Sequence, residues 1–306
     1  MFPHFSSIAK LARLFTLLTL FVLSLEPLLG QHKDLLPFDT TNYELQEAVY
    51  KEALQADLKL HFYKPKSGLK EPSPAILFFF GGGWTGGNHQ HFATHSKYLA
   101  SRGIIAITAD YRVRKEHGTT PIEAIQDARD ALRFVVEHAD ELAIDTSQIV
   151  VGGGSAGGHL ALCTALIDHF DEAEKLEYMP KALVLYNPVV NTTSAGFGSK
   201  MLGKDTINAS PYHHVSVEMP PTLIFHGKDD TTVPISNIYA LEKKMDSLGV
   251  ENTIYIYPDQ KHGFFNVGRQ PSHRYFLETL YQSDQFLVDQ GFLTGQPSFE
   301  LSNKID

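Results

Sequence analysis

A single doubly wound α/β domain with a mostly parallel sheet is the fold this chain predicts. Short apolar runs recur along the chain, amphipathic helical segments lie between them, and Gly, Pro, Asn or Asp bound the runs. A strand buried on both faces reads as a continuous apolar run, and Ala75 to Phe80 is one. An early strand is expected at Leu58 to Tyr63. Further strands are expected at Ile104 to Thr108, Ile149 to Val151, Ala182 to Tyr186, Thr222 to Phe225 and Thr253 to Tyr257. The clearest helix opens at Thr120-Pro121-Ile122-Glu123, where Thr can cap, Pro suits the first turn and Glu can close a capping box. Ile125, Ala128, Leu132 and Val135 then form its core face. Gly103 and Gly249 each follow a helical stretch, as left-handed C-terminal caps do. Asn187 to Pro221 breaks the rhythm and is read as a short insertion beside the site rather than a large cap. The polar residues from Thr294 onward are expected to fray.

The composition agrees with one sizeable core. Of 306 residues, 43% are hydrophobic and 20% charged, which excludes disordered and low-complexity chains. The net charge of −9, with no basic patch, argues against nucleic acid and anionic lipid as partners. Cys163 is the single cysteine, so neither an internal disulfide nor a cysteine zinc site is available. Lys10 and Arg13 precede an apolar run from Leu14 to Leu25 that ends at Glu26-Pro27, which is the anatomy of a signal peptide. The run is shorter than the roughly 20 residues of a membrane span. Residues 1–30 are therefore expected to be a removed leader and residues 31–306 the catalytic domain. The mature chain is expected to be secreted or periplasmic, without stable membrane insertion.

Gly153-Gly154-Ser155-Ala156-Gly157 matches G-x-S-x-G. That pattern arises by chance in roughly one chain in ten of this length, so its setting decides. It follows the strand at Ile149 to Val151 and leads into an apolar helix, the strand-turn-helix context that exposes a nucleophilic serine. Side chains at 153 and 157 would clash in so sharp a turn. A serine hydroxyl needs a base, and the base needs an orienting partner. Asp230, after the strand ending at Phe225, is the expected carboxylate, with Asp229 as its competitor. His262, past the strand ending at Tyr257, is the expected base. Oxyanion donors are expected from the backbone of Gly82, Gly83 and Ala156, because Phe80-Gly81-Gly82-Gly83-Trp84 follows a buried strand and its glycines admit a substrate carbonyl.

With these residues placed, the chain resembles the α/β-hydrolase superfamily over most of its mature region. Phe80 to Trp84 is similar to the HGGG-W element of the hormone-sensitive-lipase-like esterases, and Gly153 to His159 to their GxSAGG segment. Phe80 stands where that family has His, and Gly154 where it often has an acidic residue. His226 to Pro234 is similar to the HGxxDxxVP turn of prolyl-oligopeptidase-like and acetyl-xylan-esterase-like hydrolases. The closer match is to the bifunctional feruloyl and acetyl xylan esterase-like group. The resemblance implies an α/β-hydrolase fold.

The insertion holds no amphipathic lid helix, so an open site is expected, favouring a small acyl group on a bulky polar leaving group such as a sugar. Trp84 and Phe264 are the expected substrate contacts, with Phe197, Tyr212 and Phe265 as further aromatic candidates; Arg112 is read as either a cleft residue or a structural ion pair. His89, His91 and His95 come without an HExxH pattern or a carboxylate ligand, so they are read as surface polar residues; no metal and no cofactor is expected. The leading expectation is an exported serine carboxylesterase acting on small acyl esters, including acylated glycans. A serine peptidase is the second reading, although residues 31 to 74 are too few for a propeller. A non-catalytic binding module on the same scaffold is the third.

Overall fold

The computed structural model describes residues 36–66, 72–170 and 176–301. The expected leader, residues 1–30, lies outside the described residues. Eight strands form one sheet: β1 (Tyr43–Glu52), β2 (Asp57–Pro65), β3 (Ser73–Phe79), β4 (Ile105–Ala109), β5 (Ile144–Gly154), β6 (Ala182–Tyr186), β7 (Thr222–Gly227) and β8 (Asn252–Tyr257). Their order is β1-β2-β4-β3-β5-β6-β7-β8. The six strands from β4 to β8 pair in parallel, whereas β2 runs antiparallel to both β1 and β4. The sheet is thus mostly parallel, as expected. All seven expected strands are present, and β1 is an eighth that the apolar runs did not reveal.

Helices cover both faces, and strand alternation decides which core each side chain enters. Leu77 and Phe79 of β3 join a core with α2 (Pro121–Glu137), α3 (Ala156–Leu166) and α4 (Ile235–Leu248). Ile76 and Phe78, pointing the other way, join a core with α1 (Ala93–Ser101) and α5 (Arg274–Asp289). Helix α2 begins as its residues dictate: Thr120 caps, Glu123 closes the capping box, and Ile125, Ala128, Leu132 and Val135 are all buried. Gly103 and Gly249 have φ of 96° and 69°, the left-handed conformation expected of them. The expected fraying from Thr294 does not hold as far as Phe299, whose ring packs on Phe38, Tyr98 and Tyr281 and anchors the polar segment.

Between β6 and β7 the insertion contains only short helical turns, including Ser199–Leu202 and Pro211–His214, and forms no large cap. Among the described residues no helix is long and apolar enough to cross a membrane. The chain leaves β3 for β4 on one side and returns to β5 on the other, so the connections diverge between β3 and β5. In open parallel sheets, that divergence opens a crevice at the strands' C-terminal ends. The Gly81 loop and Ser155 occupy it.

One buried ion pair secures the sheet's antiparallel edge. The Arg112 Nε and Nη2 donate to Asp127 Oδ2 and Oδ1 at 2.8 and 2.7 Å, the Arg112 backbone N–H adds a bond of 2.9 Å, and Lys51 lies 2.9 Å from Oδ1. Arg112 is therefore structural. Asp127 is fully buried. Asp127→Ala should cost about 3–5 kcal/mol, because it removes the counter-charge from a desolvated guanidinium. Urea unfolding would read that loss as a lower midpoint.

Candidate active site

Ser155 stands on the turn between β5 and α3 with φ 54° and ψ −118°, a strained conformation for a residue with a side chain. The neighbouring glycines make the turn possible. A Cβ on Gly157 would sit 2.0 Å from the Phe79 carbonyl oxygen and 2.4 Å from that of Phe80, and one on Gly153 would meet the Gly157 backbone at 2.4 Å. Gly157→Ala therefore forces backbone from backbone. It is expected to lower stability by about 1–3 kcal/mol and to remove most activity, as a thermal melt and an ester assay would show.

The three separated residues expected to act together do meet. His262 Nε2 lies 2.8 Å from Ser155 Oγ, and His262 Nδ1 lies 2.7 Å from Asp230 Oδ2. The other carboxylate oxygen accepts from the backbone N–H of Thr232 at 2.8 Å and of Val233 at 2.9 Å. Burial by itself would raise the Asp230 carboxyl, but the His262 bond and these two N–H groups outweigh it and hold it below the usual carboxylate range. Its side chain is fully buried, whereas that of His262 is 23% exposed, open to a reactant. Asp229, the competitor, instead donates its backbone N–H to Gln260 O.

Gly82 and Gly83 turn beside Ser155 with φ of 132° and 60°, and Ala156 opens α3. Among the described residues the N–H groups of Gly82 and Gly83 make no internal hydrogen bond, in contrast to that of Gly81. Such N–H groups are what an oxyanion requires.

These residues border a cavity of about 680 Å³ whose wall includes Phe197, Met201, Phe265, Asn88, Thr85 and Thr232. Among the described residues no Asp, Glu, Lys or Arg lines it. Trp84 and Phe264, the expected substrate contacts, do not line it either. Trp84 is 1% exposed and sets its ring edge against His159, and Phe264 is 2% exposed against Tyr257 and Tyr275. Phe265, the next residue, lines the cavity instead.

The three clustered histidines are not surface residues alone. His95 is fully buried, and burial drops its pKa to about 3. His91 lines the cavity, with its pKa lowered by burial and by His262 despite its bond to Asn266. His89 stacks on His61 at 3.5 Å and 11°. Ligand atoms of His61, His89 and Asp110 come within 4.8 Å of one another. The in-plane lone pairs of two stacked rings run side by side rather than converging, and Glu47 and Asp110 already engage both His61 nitrogens. As arranged, His61, Glu47 and Asp110 form a hydrogen-bonded cluster on which His89 stacks.

Comparison with known proteins agrees with this geometry. The BD-FAE family model matches residues 60–194. Esterase 2 of Thermogutta terrifontis, solved phosphoramylated by tabun, is 38% identical with a TM-score of 0.77, over 85% of this chain and 99% of that one. The chain belongs to the α/β-hydrolase esterases of the hormone-sensitive-lipase-like type. A probable carboxylic ester hydrolase of Mycobacterium tuberculosis is 27% identical over 74% of this chain and 56% of its own length. A probable isoprenylcysteine alpha-carbonyl methylesterase of Arabidopsis thaliana is 26% identical over 67% and 48%. The chain spans about half the length of these two curated members of the esterase group.

Motif reading missed Asn187, His91 and Asn266 as site residues. His91 stood out only as one of a histidine cluster, and no local pattern marks the two asparagines.

Proposed function

We propose that the chain is an exported serine carboxylesterase that removes small acyl groups from neutral esters, with acylated carbohydrate as its substrate class. The observation that carries the reading is the bonded series Ser155–His262–Asp230 at the wall of a cavity that no Asp, Glu, Lys or Arg among the described residues lines. His262 Nε2 takes the Ser155 proton as Oγ attacks the ester carbonyl, and the N–H groups of Gly82, Gly83 and Ala156 receive the oxyanion. His262 then returns the proton to the departing alkoxide, leaving an acyl-enzyme. Water, deprotonated by the same imidazole, releases the acid. Asp230, held ionised, fixes the imidazole tautomer and stabilises its charged form.

Small acyl groups are supported by the Thermogutta esterase, which has been solved bound to propionate and to butyrate. Asn88, Thr85 and Thr232 supply uncharged hydrogen-bonding groups suited to sugar hydroxyls, and the short insertion leaves room for a bulky leaving group. Export is inferred from the apolar segment Leu14 to Leu25 and its basic flank.

Hydrolysis of p-nitrophenyl acetate, butyrate and octanoate, compared with acetate release from acetylated xylan, tests the reading. Preference for the shorter esters together with release from xylan is expected. Preference without release would remove the carbohydrate assignment, and inactivity on every ester would favour the binding module.

A further inference from the structure

We propose that His91 is a positioning residue that locks the oxyanion loop to the loop carrying His262. The inference rests on the esterase reading of the site and adds to it a group that touches none of the reacting atoms. The Gly81 N–H donates to His91 Nδ1 at 2.9 Å, so that nitrogen is unprotonated and the ring proton sits on Nε2. Nε2–H then donates to Asn266 Oδ1. That bond fixes which way the Asn266 amide faces, and its Nδ2 donates to the Gly263 carbonyl at 2.9 Å. From the other side, Asn187 Oδ1 accepts the Gly263 N–H at 2.9 Å.

The peptide groups on both sides of Gly263, directly after the base, are thereby held, and the series runs without a break to Gly81, directly before the two oxyanion glycines. Each of its four bonds pairs a donor with an acceptor, and reversing any member would set N–H against N–H or oxygen against oxygen. His91 packs against the rings of Phe92 and Phe265, with centroids at 4.8 and 5.7 Å. Asn187 has φ 36°, a conformation uncommon for a residue other than glycine, and it presents its carboxamide to the loop. The base and the oxyanion donors come from segments about 180 residues apart, yet both must keep their places relative to one substrate carbonyl. A misplacement of about 1 Å costs on the order of 100-fold in rate.

The test uses p-nitrophenyl acetate and the whole chain. His91→Phe keeps a ring against the same neighbours but loses both nitrogens. It should lower kcat by about 10- to 100-fold with KM within about two-fold. His91→Gln retains one acceptor and one donor and should recover most of the loss. Asn266→Ala should match His91→Phe, and the double variant should be no worse than either, because both cut one series. Wild-type kcat and KM in His91→Phe would overturn the proposal, as would losses that multiply in the double variant. Thermal melts establish that each variant is folded; should His91→Phe not fold, the comparison of His91→Gln with Asn266→Ala decides, an unrecovered His91→Gln counting against the proposal. An inactive unaltered protein would instead overturn the esterase reading.

Discussion

Ser155→Ala is expected to lower kcat on p-nitrophenyl acetate by on the order of 10⁶ while leaving thermal stability within about 0.5 kcal/mol of the parent. The substitution deletes one atom, the Oγ that faces His262 Nε2. What shapes the turn remains: the residue 155 N–H still donates to the Tyr186 carbonyl, and its own carbonyl still accepts from His159 and Val189. Turnover by the remaining site, through bound water and the oxyanion donors, is expected to stay roughly 10³–10⁴ above the uncatalysed rate. Steady-state kinetics with a folded, separately purified variant would check both halves of the prediction.

His262→Gln should have a loss of similar order, on the order of 10⁴–10⁶ in kcat, for a different reason. The nucleophile is intact but no group takes its proton. Glutamine is the informative replacement because its amide can still donate to Asp230, which would otherwise keep a buried negative charge with one partner fewer. The expected signature is lost turnover with a near-parental melt. Asp230 adds a pH dependence to stability. Its folded pKa lies below the ordinary value of about 3.9, so its contribution is fully present above that value and disappears as pH falls through the lower folded one.

What could be read from the residues followed how local the cause was. Strands β3 to β7 announce themselves because burial on two faces demands continuous apolar runs, and α2 because its cap and stripe lie within one segment. Strand β1 does not, since it is an edge strand with Leu45 and Val49 exposed, and its order comes from pairing with β2 rather than from a buried face. The triad was legible for a similar reason: each member sits at the end of a recognisable strand. Trp84 and Phe264 were misplaced because a motif gives an aromatic residue's position along the chain but not the side of the turn it takes. The proposed roles of Asn187, His91 and Asn266 depend on contacts made across 76 and 175 residues. Nothing in their flanking sequence encodes those partners.

Reaction with paraoxon tests the central claim, nucleophilic attack by Ser155, most directly. Esterase 2 of Thermogutta terrifontis has been solved phosphorylated by this compound. Attack by Ser155 Oγ on phosphorus would expel p-nitrophenolate, pass the serine proton to His262 and leave a stable diethylphosphoryl serine. One equivalent should abolish ester turnover, and mass spectrometry should locate one diethylphosphoryl group on the peptide containing Ser155. Turnover that persists after complete modification, or a modifying group on a different residue, would contradict a serine mechanism at this site.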